Sequence, residues 1–288
     1  MLAVPNFSEG RDGDTVAAIG AAFGPGLIHS SSDPDHNRSV FTVVAEEDEL
    51  VEALLAGVAC ARDRIDLRTH EGAHPRIGAA DIVPLVPVRP EDTERARGAA
   101  LVVAGRIAGE LELPVFLYGE LAPGRGPAFF RRGGTAGLQQ RIDSGELESD
   151  FGPARLDLRA GGVLVGVRPP LIAFNVNLRG GLDAAREIAA AVREKDGGFA
   201  GVRALGLDLP RAGFVQVSMN VEDHEASALH EIVERIESEA ALRGVEVVGT
   251  ELVGLMPAAA AAAAAGAALR IEGFEPSRVL ELRLLDDD

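Results

Sequence analysis

An α/β protein of two subdomains follows from three features of the sequence. Short β-rich runs alternate with longer helical stretches, the alternation restarts after residue 168, and 288 residues exceed the roughly 100–200 that one domain usually takes. We place subdomain boundaries at 1–167 and 168–288.

In the first half, Leu2–Val4 and Leu27–Ser30 read as strands flanking a helix at Asp14–Phe23. A strand at Arg38–Val44 and a helix at Glu47–Asp63 follow, with Asp48 as the expected cap. Ile82–Val88 is apolar and β-branched, but Pro84 and Pro87 cannot donate to a ladder, so the run is expected at an edge or as an irregular strand. A helix at Pro90–Glu110 and strands at Pro114–Tyr118 and Val163–Val167 complete this half. Between those strands, Gly119 to Gly162 is rich in Gly and Arg and too long for a connector; it predicts a functional loop holding a short helix.

The second half runs as a strand at Leu171–Leu178, a helix at Leu182–Lys195 and strands at Ala204–Leu207 and Phe214–Asn220. A helix at Glu222–Arg243 and a strand at Val245–Val248 follow. Eight alanines after Pro257 predict a helix whose small side chains let neighbours come close. The Leu285-Asp-Asp-Asp end reads as a solvated tail.

Hydrophobic residues at 47% and charged residues at 25% describe a soluble globular chain rather than a disordered or membrane one. The net charge of −17 repels a phosphate backbone, so nucleic-acid binding is disfavoured; small anions remain admissible where arginines gather within about 8–10 Å. The lone Cys60 precludes an intrachain disulfide, and the first ten residues lack a basic lead into an apolar stretch. A cytoplasmic setting is expected.

The densest polar cluster is Ile65 to Asp81, with two histidines, two arginines and three acids. Its His70-Glu71-Gly72-Ala73-His74 string matches H-E-x-x-H, the zinc pattern of metallopeptidases, which needs both histidines on one continuous helix. Gly72 weakens that helix and Pro75 pushes His74 toward extended geometry, so no metal is expected. What remains is a structural loop or a metal-free acid/base site. An imidazole with an ordinary pKa near 6.5 suits proton transfer near neutral pH, and Gly72 and Gly78 would let a ligand approach the backbone beside His74. His29, His36, His224 and His230 read as packing histidines.

Several segments occur in an order that resembles the formiminotransferase family. They are Val4-Pro-Asn-Phe-Ser-Glu-Gly10, Asn37-Arg38, Ile65-Asp66 through His74-Pro-Arg-x-Gly-Ala-x-Asp81, Pro114-Val-Phe-Leu-Tyr-Gly-Glu120, Asp150-Phe-Gly-Pro153 and Leu171-Ile-Ala-Phe-Asn-Val-Asn177. Gln216-Val-Ser-Met-Asn220 and Glu251-Leu-Val-Gly-Leu-Met-Pro257 extend the likeness into the second half.

The resemblance implies two ferredoxin-like-type α/β subdomains with mixed sheets and a cleft between them. It implies a cytoplasmic glutamate formimidoyltransferase activity with tetrahydrofolate as co-substrate, in a homodimer. The family's catalytic histidine falls on His74 and its folate-binding segment on Gly152, Pro153, Ala154, Arg155, Leu156, Asp157, Leu158, Arg159, Ala160 and Gly161. Both substrates carry carboxylates, so Arg38, Arg76, Arg155, Arg159 and Arg168 are candidate partners, with Asn6, Asn37, Asn175 and Asn177 as neutral donors or mere strand ends. Ala73 stands where the family often has Glu, leaving Glu71 as the substitute acid, and no tryptophan precedes Asp150-Phe-Gly-Pro. The rival readings are a folate-dependent formyl transferase, a zinc hydrolase using His70 and His74, and a ligand-binding protein without catalysis.

Overall fold

The computed structural model describes residues 1–285, so the acidic tail predicted after Leu285 lies outside the described residues. The chain divides into two compact units, Met1–Pro169 and the remainder from Pro170.

The first unit opens with two dipeptide strands, β1 (Leu2–Ala3) and β2 (Asn6–Phe7), which together form one interrupted strand. Helix α1 (Gly13–Ala22) leads to the hairpin β3 (Leu27–Asp33) and β4 (Arg38–Val44), then α2 (Glu47–Arg64) and β5 (Ala80–Val86). The lateral order β3, β4, β1/β2, β5 is antiparallel throughout, the pattern of a split β-α-β-β-α-β unit. Helix α3 (Thr93–Leu111) then carries the chain to β6 (Val115–Gly119), and β7 (Val163–Val167) slips between β5 and β6, parallel to both.

Asp12 starts α1, its side chain accepting from the Asp14 and Thr15 amides. The expected cap at Asp48 is corrected: Asp48 lies inside the first turn of α2, and Glu46 holds the cap position without a side-chain bond. Glu47, Asp48 and Glu49 still favour that end through the helix dipole, as Arg62 and Arg64 favour the other.

Pro84 lies inside β5 and does not mark an edge, while Pro87 falls just after the strand. The strand is buried at every residue and lies between β1/β2 and β7. Pro84 faces the break between β1 and β2, where its carbonyl accepts the Val4 amide at 3.1 Å. The Val4 carbonyl, which no proline N–H can serve, is taken instead by Asn6 Nδ2 at 2.8 Å. A side-chain amide thus replaces the missing rung, and a proline becomes tolerable in a central strand.

Helices α1 to α3 cover one sheet face through Phe7, Phe23, Phe41, Leu54, Val83, Val103 and Val165. The stretch between β6 and β7 holds two helices, not one: α4 (Pro127–Arg131) and α5 (Gly134–Asp143). Phe130 and Leu138 from these helices bury Ile82, Phe116, Tyr118 and Leu164 on the opposite face, so this segment builds a core of its own.

The second unit runs β8 (Ile172–Arg179), α6 (Leu182–Val192), β9 (Val202–Leu209), β10 (Phe214–Val221), α7 (Leu229–Leu242) and β11 (Glu246–Val253). Its order β11-β8-β10-β9, all antiparallel, repeats the split β-α-β-β-α-β topology. Helix α7 begins at Leu229 rather than Glu222, because the Asp223 carboxylate accepts the Glu225 and Ala226 amides in a turn that competes with helix. Likewise α6 stops at Val192, and Glu194–Asp196 forms a short 3₁₀ turn.

Alternating residues of β8 and β10 (Ile172, Phe174, Val176, Leu178; Val215, Val217, Met219, Val221) pack with α6 and α7. The others turn Asn175, Asn177, Gln216 and Ser218 to the helix-free face. The alanine run forms α8 (Ala258–Ala268), Pro257 holding its cap position, and α9 (Leu280–Leu285) ends the described chain. No described helix is long and apolar enough to cross a membrane.

Candidate active site around His74

The segment His70–Arg76 is irregular, joined to α2 by a 3₁₀ turn at Leu67–Thr69. The helix that a zinc-binding H-E-x-x-H string requires is therefore absent. Arg76 holds the loop closed. Its guanidinium donates to the carbonyls of His74 (2.8 and 3.2 Å), His36 (2.9 Å) and Asn37 (3.1 Å), and to His70 Nδ1 at 2.5 Å. A guanidinium only donates, so Nδ1 of His70 is the accepting nitrogen. Burial, and after it the Arg76 charge, pull the His70 pKa down to about 4.

His74 is fixed in the opposite tautomer. Its Nδ1 lies 2.7 Å from the Pro75 carbonyl, which can only accept, so Nδ1 carries the hydrogen and Nε2 the lone pair. The ring is half-buried and stacks on His36, centroids 6.0 Å apart and planes at 30°. Burial first, then the Arg38 and Arg131 cations and His36, hold its pKa well below 6.5, against the Pro75 contact. The imidazole is a neutral acceptor at neutral pH.

Beneath it lies a buried ionic cluster. The Asp81 carboxylate, 0% exposed at the start of β5, accepts Arg38 Nη1 and the Ile77 amide, each at 2.7 Å, and also Arg131 from α4. Burial alone would raise the Asp81 pKa, but Arg131 and Arg38 outweigh it and hold the carboxyl below its ordinary value. Burial lowers the Arg38 pKa to about 10, against the pull of Asp81, and leaves it charged at neutral pH. Arg38 also grips Asn6 Oδ1 through Nε (3.1 Å) and Nη2 (3.0 Å). One carboxylate thus serves two buried guanidinia. Arg131 Nε is itself buried without an acceptor, a cost of about 1–3 kcal/mol.

Asn37 adopts a left-handed backbone, φ 48°, and bridges two loops: its Oδ1 accepts the Gly10 amide and its Nδ2 donates to the Glu71 carbonyl. The glycines beside His74 make room for protein, not for a ligand. A Cβ on Gly72 would sit 2.4 Å from the His36 carbonyl, and one on Gly78 would sit 1.9 Å from the Gly162 carbonyl. That second contact stitches the histidine loop to the end of the Gly152–Gly161 segment. Gly78 bridges Gly161, Leu67 N–H donates to the Arg159 carbonyl, and Ala79 N–H to that of Ala160.

The Gly152–Gly161 segment is mostly exposed. Leu158 at its tip is 80% exposed, Arg155 and Arg159 reach solvent, and the Asp157 carboxylate closes the tip by accepting the Arg159 and Ala160 amides. Arg159 also lies 3.5 Å from Asp66, whose pKa Arg68 pushes down to about 2. A cavity of about 460 Å³ lined by Ile142, Leu147, Ser149 and Ala154 touches the start of this segment. A second, of about 400 Å³, lies in the other unit among Phe174, His230, Val233 and Ala264. His74 lines neither of these two cavities.

Arg168 follows β7, donating to the Pro169 carbonyl at 2.9 Å and lying beside the Tyr118 hydroxyl, whose pKa burial raises to about 12. Asn175 belongs to the second unit, where its Nδ2 donates to Glu251 at 3.1 Å and the neighbouring Gln216 donates to Asn177 at 2.8 Å. The first unit therefore gathers His74, Arg76, Arg38, Asn6 and Asn37, with the Gly161 end of the exposed segment stitched to the same loop; Asn175 stands in a separate polar group. Sequence reasoning passed over His36 as packing and missed Arg131 altogether. Asp81, a lone acid entering an apolar strand, signalled that a buried cation must meet it.

Comparison with known families decides the affiliation. The N-terminal subdomain pattern of the formiminotransferase domain matches residues 1–168, and the formiminotransferase domain pattern matches residues 173–273. The chain belongs to the formiminotransferase family. Glutamate formimidoyltransferases of Thermoplasma acidophilum and Streptococcus pyogenes serotype M1 are 37% and 38% identical to it over 291 residues, 98% of this chain and 96% and 97% of theirs. The formimidoyltransferase-cyclodeaminase of Rattus norvegicus is 38% identical over 88% of this formiminotransferase chain, but over only 49% of its own length.

Proposed function

We propose that this chain transfers a formimino group between N-formimino-L-glutamate and tetrahydrofolate, with His74 as the proton carrier. The observation that carries the reading is the Nδ1 contact to Pro75, which leaves the Nε2 lone pair free of that bond in a half-buried, neutral imidazole.

In this reaction N5 of tetrahydrofolate attacks the formimino carbon, and a tetrahedral intermediate forms. The new C–N bond leaves N5 positively charged and acidic, so even a weakly basic imidazole can take its proton on Nε2. The resulting imidazolium, destabilised first by burial and then by Arg38 and Arg131, is a correspondingly strong acid. It returns the proton to the glutamate nitrogen as the old C–N bond breaks, giving 5-formiminotetrahydrofolate and glutamate. Proton transfer of this kind contributes about 10²–10⁴-fold, and holding two substrates together supplies a further share.

Within this proposal Gly152–Gly161 contacts the folate: Arg155 and Arg159 reach solvent, and the backbone carbonyls of Arg159 and Ala160 accept amides that flank the histidine loop. Arg76, Arg38, Asn6 and Asn37 act mainly by holding that loop, their donors being engaged with protein groups. Arg168 and Asn175 are assigned substrate contacts on the family pattern. The same reading makes the enzyme a cytoplasmic homodimer.

The deciding experiment incubates the protein with tetrahydrofolate and either formimino-glutamate or formyl-glutamate and measures the folate product. Formation of 5-formiminotetrahydrofolate is expected; transfer from the formyl donor alone would replace the reading with formyl transfer. The pH dependence supplies a second check. With His74 held well below 6.5, kcat/KM should stay flat as pH falls through 6.5 and decline only at lower pH. A half-maximal point at or above 6.5 would contradict the basic role assigned to this imidazole.

A further inference from the structure

We infer that Arg131 is the seat for the α-carboxylate of the one-carbon donor, a role that the sequence motifs leave unassigned. The geometry has three parts. Arg131 reaches the cluster from α4, on a segment separate from the histidine loop, and pairs with Asp81. Asp81 also accepts Arg38 and the Ile77 amide, so two guanidinia share one negative charge. Arg131 Nε is buried with no acceptor at all, the arrangement of a fork that lacks its second oxygen pair.

The surroundings bear on the choice of ligand. Arg131 meets Asp81, whose carboxylate also accepts the Ile77 amide three residues from His74, so an anion drawn to this guanidinium lies beside the histidine loop. In formimino-glutamate the α-carboxylate is two bonds from the nitrogen that His74 must protonate, whereas the side-chain carboxylate is farther away. The glutamate tail of the folate is separated from N5 by the whole aminobenzoyl group. The α-carboxylate of the donor, and of the glutamate released, is the group whose position fits. Its negative charge would balance the second guanidinium and give Nε its acceptor. Each nitrogen of Arg38 has an acceptor in Asp81 or Asn6, and each nitrogen of Arg76 has one in a backbone carbonyl or His70, whereas Arg131 Nε has none.

This assignment rests on the formimino-transfer reading, and the test separates the two. L-Glutamate, L-glutamine and L-isoglutamine are compared as competitive inhibitors against formimino-glutamate, in the wild-type protein and in Arg131→Lys, which keeps the charge facing Asp81 but lacks the fork. Wild type should bind glutamine, which retains the α-carboxylate, at least tenfold more tightly than isoglutamine, which does not. In Arg131→Lys that preference should vanish, and the KM for formimino-glutamate should rise about tenfold or more while the KM for tetrahydrofolate stays within twofold. A preference that survives the substitution, or a thermal midpoint that falls while both KM values hold, would make Arg131 a structural bridge and overturn the assignment. Should wild type transfer no formimino group, calorimetric titration with the same three amino acids still tests the seat, and the failure then belongs to the reaction rather than to Arg131.

Discussion

His74→Ala is expected to lower kcat by about two to four orders of magnitude, the share that a positioned acid/base group contributes. The fold should survive. The imidazole's recorded contacts are the bond to its neighbour Pro75 and the stack on His36, and its ring belongs to none of the hydrophobic cores. Steady-state rates and a thermal melt, taken together, check this. A variant that melts like wild type and turns over within a few-fold of it would remove His74 from the mechanism. His74→Gln should be equally inactive, because an amide supplies hydrogen bonds but carries no proton between two nitrogens.

Asp81→Ala is expected to cost about 3–5 kcal/mol of stability, because it strands the Arg38 and Arg131 guanidinia in a buried site without their shared anion. The Ile77 amide would lose its acceptor as well. The chain has no tryptophan and a single tyrosine, Tyr118, buried in the first unit, so tyrosine emission reports unfolding of that unit alone. At about 2–4 °C per kcal/mol, the emission midpoint should drop by roughly 6–20 °C. A shift under about 2 °C would show that the two arginines find other partners. Asp81→Asn should fall between the two proteins, since it keeps an acceptor oxygen but not the charge.

The alternation of strands and helices in two α/β units could be read from hydrophobic pattern, because elements such as α2, α3 and β7 are long or uniformly apolar enough for local pattern to decide. Failures came where a distant residue settles a local conflict. Pro84 looked like an edge residue because the Asn6 side chain that repairs its missing bond lies seventy-eight positions earlier in the chain. The stretch from Gly119 to Gly162 looked like a loop with one helix, since its glycines hid the Phe130 and Leu138 anchors of two short helices and the core they close. The irregular course of the chain at His74 was legible because Pro75 and Gly72 disfavour a helix locally. Arg131 was not, because nothing near it in sequence reveals a partner fifty residues away. His36 lies in the tight turn before β4, and only the fold brings its ring over His74.

The two units share the split β-α-β-β-α-β strand order but have parted in the polar groups that their central strands display. In the first, Asn6 meets Arg38, which in turn pairs with the buried Asp81; in the second, Asn175 on the corresponding central strand meets Glu251, beside the Gln216–Asn177 amide pair. Carrying that strand alone from one unit to the other would move none of the ionic cluster except Asn6, because Arg38, Asp81 and Arg131 stand on β4, β5 and α4. Topology here behaves as a neutral chassis, and the division of labour is written in a few side chains on one half of a repeated design.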